Sequence, residues 1–425
     1  MWRLHLDTAA FHANIPTAEC NLRAWMEAAM THDMMTSDAL RLRGFRAALA
    51  TLLPALMLVA GTMSATAQQT RAPAPAERSQ FKTTKIAEGL EHPWAVQELT
   101  DGRLIVTERP GRIRIVDAEG RLSSPVANVP KVAADGQGGL LDLVLAPDFA
   151  TSRTLYFTYS EPRGSGRSGT ALAKAVLDAD GKKPALSNVR VIFRQKPDTR
   201  SALHFGSRIA LAGDGTLYVT LGDRYGGRDK AQSGDNHYGK VVHLKNDGTP
   251  AAAAPHKDGW LPEIWSIGHR NPQAAAINPA TGRLWTVEHG ARGGDEINNP
   301  AAGKNYGWPV ITYGRDYSGE KIGVGTSKEG LEQPVYYWDP SIAPSGMTFY
   351  TSDRYPAWKG NLFVGALAGT HLSRLVLDGD KVVAEERLLD QLDERIRDVR
   401  QARDGSLLVV TDDGNGSILR IVPAP

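Results

Sequence analysis

Residues 214–224 read DGTLYVTLGDR, and phrases of this kind recur along the chain. Each begins with a turn that usually contains glycine and continues as alternating apolar residues. Alternation with a period of two predicts a half-buried β-strand, and Asp-Gly pairs are typical of hairpin turns. The other copies are DGRLIVTERPGRIRIVD from residue 101, SRTLYFTYSE from 152, TGRLWTVEHG from 281, KGNLFVGALAGTHLSRLVLDGD from 359 and DGSLLVVTDDGNGSILRIV from 404.

These repeated hairpins, roughly 45 to 80 residues apart, are typical of propeller blades joined by long loops. A two-sheet sandwich is the alternative, but recurring hairpins spread over this much chain fit it poorly. We therefore expect an all-β fold, a six-bladed β-propeller that forms a single domain over residues 85–425. Loops gather at one end of the central channel in such a ring, so polar residues beside strands are the site candidates.

The N-terminal part of the chain is predicted to be a targeting segment. Residues 41–67, RLRGFRAALATLLPALMLVAGTMSATA, have the basic start, short apolar run and Ala-Thr-Ala cleavage site of a secretory signal peptide (Arg41–Ala67). An uncleaved membrane anchor is the alternative, and Pro54 within the apolar run disfavours it. We expect residues 1–67 to be an extension plus signal, residues 68–84 a disordered leader, and the mature protein to be periplasmic without stable membrane insertion.

The charge and cysteine content narrow the classes of partner. Lys plus Arg number 49 against 47 Asp plus Glu, with no block of like charge, so nothing indicates nucleic-acid binding. The only cysteine, Cys20, lies in the segment predicted to be removed. No Cys/His cluster suits zinc, and no Walker or Rossmann glycine pattern suits a nucleotide.

Gln137 and His204 precede predicted strands. Gln137 lies in the turn ADGQGG, where glycines let the backbone approach a flat ligand, although a solvated turn is the alternative. His204, in LHFGSR, directly precedes an apolar run. A histidine is the best general base near neutral pH, but a hydrogen-bonded core histidine is also common at such a position. The residues alone leave both interpretations open.

Cationic and amide donors occur at two further strand ends. Arg270 and Asn271 precede Pro272, which cannot donate to a sheet and so marks a strand end. Buried donors there require a ligand rich in carbonyl oxygens or negative charge; otherwise they are solvated. Arg395 and Arg397 are separated by one residue and so face the same side of a strand. Either they share a carboxylate-rich ligand or they pair with nearby acidic residues at an exposed edge.

A possible cation site lies in residues 287–309, VEHGARGGDEINNPAAGKNYGWP. This segment supplies Asp295, Glu296 and Asn298 among glycine-rich turns, with Tyr306 in a later loop. Carboxylates and backbone carbonyls are the ligands that calcium prefers, although the spacing is not that of an EF-hand.

Seven segments together resemble the soluble quinoprotein aldose and glucose dehydrogenases, which use pyrroloquinoline quinone (PQQ) and fold as six-bladed propellers. The resemblance runs from about His92 to the C-terminus, through ADGQGGLL, LHFGSR, GHRNPQ, GDEIN, KNYGWP, APSGMTFY and RIRDV in this order. It implies an oxidoreductase that converts aldoses to lactones at the anomeric carbon with PQQ and calcium. Electrons would pass to an external acceptor, and the protein would be a monomer or homodimer.

The resemblance also implies residue roles. His204 would be the general base for the anomeric hydroxyl, and Arg270 would stabilise negative charge on the reduced cofactor. The residues expected to contact PQQ are Gln137, Arg270, Asn271, Ser341, Arg395 and Arg397. Those expected to bind calcium are Gly290 and Ala291 beside PQQ, and Glu296 and Tyr306 at a structural ion. Trp338 is expected beside the substrate.

Two positions depart from the family pattern. Ala368 stands where the family often has a lysine that contacts PQQ, and Ala291 replaces a proline of the glucose dehydrogenase branch. Loss of one charge-assisted contact costs roughly 1.5–3 kcal/mol, which would weaken cofactor binding. Two other functions remain as alternatives on the same fold, a calcium-dependent lactone hydrolase and a non-catalytic binding propeller.

Overall fold

The strands of the computed structural model, which describes residues 72–180, 183–251 and 257–424, form six sheets arranged as the blades of a β-propeller. Blade 1 consists of β2 (Pro93–Glu98), β3 (Leu104–Glu108) and β4 (Arg112–Val116). Blade 2 consists of β5 (Leu140–Leu145), β6 (Thr154–Pro162), β7 (Ser168–Asp178) and β8 (Ala185–Arg194). Blade 3 consists of β9 (Gly206–Leu211), β10 (Leu217–Leu221), β11 (Lys240–Leu244), β12 (Ile264–Ile267) and β16 (Lys304–Asn305).

The strands of the remaining three blades pair antiparallel throughout, whereas β16 of blade 3 pairs parallel with β12. Blade 4 consists of β13 (Pro272–Ile277), β14 (Leu284–Glu288), β15 (Asp295–Asn298) and β17 (Tyr336–Trp338). Blade 5 consists of β18 (Pro344–Phe349), β19 (Leu362–Ala366), β20 (His371–Asp378) and β21 (Lys381–Leu388). Blade 6 consists of β22 (Ile396–Gln401), β23 (Leu407–Thr411), β24 (Gly416–Pro423) and β1 (Phe81–Leu90). In the described part of the chain the helices are short: α1 (Phe149–Ser152) and 3-10 turns at Arg228–Gln232, Pro356–Trp358 and Asp390–Leu392.

The six-bladed prediction is confirmed, and every repeat phrase contains the second strand of a blade: β3, β6, β10, β14, β19 or β23. The first strands, β2, β5, β9, β13, β18 and β22, contact one another in cyclic order and surround the central channel. β1 pairs antiparallel with β24, so strands from both ends of the described chain share blade 6. This pairing closes the ring, which leaves fewer exposed sheet edges.

The start of the propeller differs from the prediction. β1 begins at Phe81, within the segment 68–84 that the sequence predicted to be a disordered leader. The residues before it contact blade 5, where Ser79 Oγ donates to Glu386 Oε2 at 2.6 Å and Glu385 N donates to Pro73 O at 2.9 Å. The predicted signal peptide lies outside the described residues. In the part of the chain that is described, no helix has the length and apolar character needed to cross a membrane.

Apolar cores lie between neighbouring blades, whereas the channel itself holds buried charges. Arg208 on β9 donates through Nη1 to Asp142 Oδ1 at 3.0 Å and to Asp398 Oδ1 at 3.1 Å. Arg400 contacts the same two carboxylates at 3.1 Å each. Strands from blades 2, 3 and 6 are thereby joined across the channel, so this cluster forms a polar centre for the ring.

Candidate active site

The candidate residues meet at one end of the channel because of the hairpin geometry. In an antiparallel pair, the start of the first strand and the end of the second lie at the same edge. The segments that lead into first strands carry Gln137, His204, Asn271 and Arg395. The segments that follow second strands carry Arg109, Asp223, His289 and Asp412. Blades 3, 4 and 6 therefore each contribute polar side chains from two adjacent strand ends.

A cavity of about 550 Å³ lies at this end, lined by residues from all six blades. Its cationic residues are Arg109, Arg395 and Arg397, and Gln137 also lines it. Arg397 Nη2 donates to Asp412 Oδ2 at 2.8 Å, whereas Arg395 lies 3.6 Å from the same oxygen. Burial opposes ionisation of Asp412, but Arg397 and Arg395 hold the pKa of its carboxyl well below the usual range. The cavity therefore suits an anionic ligand.

His204 lies beside a second cavity of about 260 Å³ and is paired with Asp223. Its Nδ1 is 2.7 Å from Asp223 Oδ1. A carboxylate only accepts, so Nδ1 carries the proton and Nε2 remains an acceptor. Burial lowers the pKa of His204, and Arg270 lowers it further, although Asp223 opposes this shift. A neutral imidazole with a free Nε2 can remove a proton from a bound hydroxyl.

The backbone at His204 is held in an unusual conformation. Its φ is 50°, in the left-handed region that few non-glycine residues adopt. Gln137 Oε1 accepts the His204 N–H at 2.9 Å, which leaves the Gln137 amide NH2 group for a ligand. Gly222 follows β10 beside this segment, and a Cβ there would lie 2.1 Å from His204 O. The glycine therefore permits the close approach that places the imidazole next to Asp223.

Arg270 is buried between the cavities with few direct partners. Its guanidinium carbon lies 5.3 Å from the centre of the Trp308 ring, and Nη1 donates to His289 O at 3.3 Å. Trp308 Nε1 donates to Asp223 Oδ2 at 2.8 Å, so the indole connects the arginine to the His204 pair. Tyr225 and Tyr317 line the same cavity with their rings half exposed or more. The second cavity thus combines a base, a cation and aromatic faces.

Asn271 is fully buried, and part of its amide lacks a protein partner. Oδ1 accepts from Gly206 N and from Gln273 Nε2, each at 3.1 Å. Nδ2 has no hydrogen-bond partner among the described residues, and neither does Arg397 Nε. Because an unpaired buried donor is costly, these atoms indicate a bound acceptor.

A water-sized cavity of about 10 Å³ lies against Glu288, Glu296, Gly290 and Tyr306. Burial and the nearby Glu288 raise the pKa of Glu296 to about 8. The buried carboxyl group of Glu288 and the half-buried one of Glu296, beside carbonyl-rich backbone, are the donors that a calcium ion prefers. Within the described residues, no cluster of three or more His, Cys, Asp or Glu side chains could hold a metal, so backbone carbonyls would have to supply ligands.

Several predicted residues have positions that differ from the expectation. Asp295–Asn298 form β15 rather than a loop, and Asp295 Oδ2 accepts from Ser341 Oγ at 2.6 Å. Ser341 lines an outer cavity of about 770 Å³ together with Ala368 and Ala291, and Ala291 also lines the cavity beside His204. Asp295 also accepts from Gly290 N at 2.8 Å, so its carboxylate orients the segments around the site.

The position of Trp338 corrects the prediction that it lies beside the substrate. Its side chain is fully buried in the core between blades 4 and 5, and Nε1 donates to Glu385 Oε1 at 3.0 Å. It lies on β17, the outermost strand of blade 4, where Tyr336 and Trp338 both pack in the core shared with blade 5. Trp308 occupies the position beside the candidate base instead.

Sequence reasoning missed five residues at the site: Arg109, Asp223, His289, Trp308 and Asp412. Four of them directly follow the second strand of a repeat phrase, or come within two residues of its end. A signal for these four residues was present in the repeat phrases, which contain VTER, TLGD, TVEH and VVTDD. When the repeats are aligned, the polar residue after each second strand falls at the same edge of its sheet. No comparable signal identified Trp308, which lies in a long loop.

Comparisons with known proteins agree with this fold. A family model described as "Glucose / Sorbosone dehydrogenase" matches residues 90–420. An aldose sugar dehydrogenase of Escherichia coli is 45% identical over 343 residues, covering 80% of this chain and 92% of that protein. The quinoprotein glucose dehydrogenase B of Acinetobacter calcoaceticus is 26% identical over 452 residues, covering 86% and 93% of the two chains.

Solved structures show the same relationship. A crystal structure of a glucose dehydrogenase is 47% identical with a TM-score of 0.78, covering 81% of this chain and all of that chain. The PQQ-bound aldose sugar dehydrogenase of Streptomyces coelicolor is 27% identical with a TM-score of 0.68, again covering 81% and 100%.

Proposed function

Because the chain belongs to the glucose and sorbosone dehydrogenase family, we propose that it is a PQQ-dependent aldose dehydrogenase in which His204 is the general base. It is an oxidoreductase, and its relatives support oxidation of sugars with a PQQ-type cofactor. The observation that carries the proposal is the His204–Asp223 pair at 2.7 Å, which lines the second cavity, while the adjacent Phe205 and Gly206 line the cationic cavity. The product would be a lactone, and electrons would leave to an external acceptor.

The residues present fit PQQ. The cofactor carries three carboxylates, and the cavity of about 550 Å³ presents the guanidinium groups of Arg395 and Arg397. The unpaired Nδ2 of Asn271 and Nε of Arg397 are donors for its oxygens. When bound, the quinone would supply a hydride acceptor. Ala368, the position of the missing lysine, lines the outer cavity instead.

The chain's own residues would then move the proton and stabilise charge. His204 Nε2 would remove the proton from the anomeric hydroxyl, and Asp223 would keep the imidazole in the required tautomer and stabilise it once charged. Arg270, buried beside Trp308, would stabilise negative charge that develops during reduction. The half-exposed rings of Tyr225 and Tyr317 would pack against the sugar.

The proposal includes calcium at two places. Glu296 and the Tyr306 carbonyl would hold a structural ion at the water-sized cavity. The Gly290 and Ala291 carbonyls would hold a second ion beside the cofactor. A divalent cation would offset the repulsion between Glu288 and Glu296, which the raised pKa of Glu296 reflects.

The test of the proposed function is reconstitution. Purified protein is mixed with PQQ and CaCl2, and a panel of aldoses is supplied with an artificial dye acceptor. Sugar-dependent dye reduction with lactone as product is expected. No reduction with any sugar would overturn the proposal. Lactone hydrolysis by PQQ-free protein would favour the hydrolase, and the absence of any PQQ spectral change would favour a non-catalytic binding propeller.

The pH profile should reveal the buried base. We expect kcat/KM to rise with pH and reach half its plateau below pH 6.5, because the base must be neutral and burial lowers the pKa of His204. Asp223 raises that pKa by favouring the charged form, so Asp223→Asn should move the half-plateau point to lower pH. Initial rates from pH 4.5 to 8.5 measure both, with unfolding monitored at each pH. A wild-type midpoint at or above 6.5 would contradict the assignment.

Calcium should stabilise the cofactor-free protein through Glu296. At a calcium concentration about 100-fold above Kd, we expect a gain in unfolding free energy of roughly 2.7 kcal/mol. Glu296→Gln should abolish most of this gain, because the substitution removes the charged ligand. Thermal unfolding with CaCl2, and with MgCl2 for comparison, measures the effect. Glu119→Gln, at an exposed ion pair with Arg121, should keep the full gain. An equal gain in both variants would contradict the site.

A further inference from the structure

Arg109 lies at the cofactor cavity, although neither its sequence context nor the family resemblance assigned it a role. It directly follows β3 and lines the cavity of about 550 Å³ together with Arg395 and Arg397. Its segment is fixed from both sides, because Arg109 N donates to His92 O at 3.0 Å and Leu140 N donates to Arg109 O at 2.9 Å. The backbone that carries the guanidinium is therefore well positioned.

The guanidinium of Arg109 is only partly engaged by the protein. Nη1 donates to Gly136 O, next to Gln137. No other hydrogen bond or ion pair of this side chain is found among the described residues, and none of its nitrogens is fully buried without a partner. Because Arg109 is half-buried and lines the cavity, its remaining N–H groups are accessible to a ligand there.

The charge balance of the cavity is positive. Three guanidinium groups, those of Arg109, Arg395 and Arg397, line it against two carboxylates, Asp412 and Asp413. Asp412 contacts Arg395 and Arg397, but Arg109 has no ion-pair partner within 4.0 Å in the described chain. Burial lowers the pKa of Arg109, Asp412 opposes this shift, and the like charges of Arg397 and Arg395 add to it. An anionic ligand would relieve this repulsion.

We propose that Arg109 is a third carboxylate-binding residue for the anionic cofactor. It would act together with Arg395 and Arg397, which come from the adjacent blade. This inference rests on the proposed function, since it takes PQQ to be the ligand. Blade 1 contributes Arg109 after its second strand, and blade 6 contributes the other two at its first. A planar tricarboxylate would thus be held by guanidinium groups from two neighbouring blades.

The test is a binding titration rather than an activity assay. PQQ is titrated into calcium-loaded protein, and Kd is read from tryptophan fluorescence and from the cofactor's absorbance. Arg109→Gln is expected to raise Kd by about 10- to 100-fold, the loss of one charge-assisted contact. Arg109→Lys, which keeps the positive charge but loses the planar guanidinium with its paired N–H donors, should give an intermediate Kd. Arg403→Gln, an exposed arginine that precedes β23 at the far end of blade 6, should leave Kd unchanged.

The trimethyl ester of PQQ separates a direct contact from a structural one. If Arg109 binds a carboxylate, Arg109→Gln should change the Kd of the ester by less than twofold. If Arg109 only supports the Gly136 turn, acid and ester should weaken equally, and the inference is overturned. A Kd for PQQ within twofold of wild type in Arg109→Gln would also overturn it. Failure of the wild-type protein to bind PQQ would instead overturn the proposed function itself.

Discussion

Replacing His204 with asparagine is expected to lower kcat for aldose oxidation by about 10²- to 10⁴-fold, the usual contribution of a general base. Asparagine suits the test because it tolerates the positive φ of 50° at this position, whereas alanine would add backbone strain. The substitution removes Nε2 as proton acceptor but keeps a small polar side chain near Asp223. Steady-state rates with reconstituted protein measure the loss.

Two readouts distinguish loss of the base from loss of the site. PQQ affinity should stay within a few fold of wild type, because the carboxylate-binding arginines lie on other blades. The acidic limb of the pH profile should disappear, since no titrating imidazole remains to limit the rate. Full activity in the variant would exclude His204 as base. As a matched control, His243→Asn, at a histidine outside both central cavities, should retain wild-type kcat.

Replacing Asp142 with alanine is expected to cost about 3–5 kcal/mol of unfolding free energy. Asp142 is fully buried on β5, where its carboxylate accepts a hydrogen bond from Ile209 N at 2.8 Å. The same carboxylate forms ion pairs with Arg208 and Arg400. Its removal leaves two buried guanidinium groups with one carboxylate, Asp398, between them. The expected cost therefore comes from uncompensated charge rather than from the lost contact alone.

Urea unfolding monitored by tryptophan fluorescence measures this effect. Asp353→Ala provides the control, because Asp353 pairs with Lys359 at the exposed surface, where such pairs contribute about 0–1 kcal/mol. A cost for Asp142→Ala no larger than that of the control would show that the channel charges do not stabilise the ring. A combined replacement of Asp142 and Arg208 by apolar residues should cost less than Asp142→Ala alone, since it removes both charges.

The repeat phrases were sufficient to predict the architecture. In each, period-two alternation placed one face of a strand against its neighbours, and hairpin turns made consecutive strands antiparallel. Counting the phrases therefore counted the blades, because each blade contains one. The motifs around His204, Arg270 and Arg397 are also short local segments. Their residues and their order along the chain were therefore sufficient to identify the family.

Pairing between distant segments was decided only by the tertiary structure. Nothing local to Phe81–Leu90 indicates that this strand pairs with β24, because sheet partners are selected by the closure of the whole ring. Trp338 shows the same limit, since a tryptophan at the end of a strand suits a core or a substrate site equally well, and only its burial against Glu385 distinguishes them.

The candidate site shows where sequence information ends. The sequence determined which residues stand at strand ends, so Gln137, His204 and Asn271 were found from local patterns alone. It did not show that Asp223 faces His204, nor that Arg109 shares a cavity with Arg397, because those pairs are separated by 19 and 288 residues. Distances across a ring depend on how all blades close together, and the charge of the cavity arises only once they do.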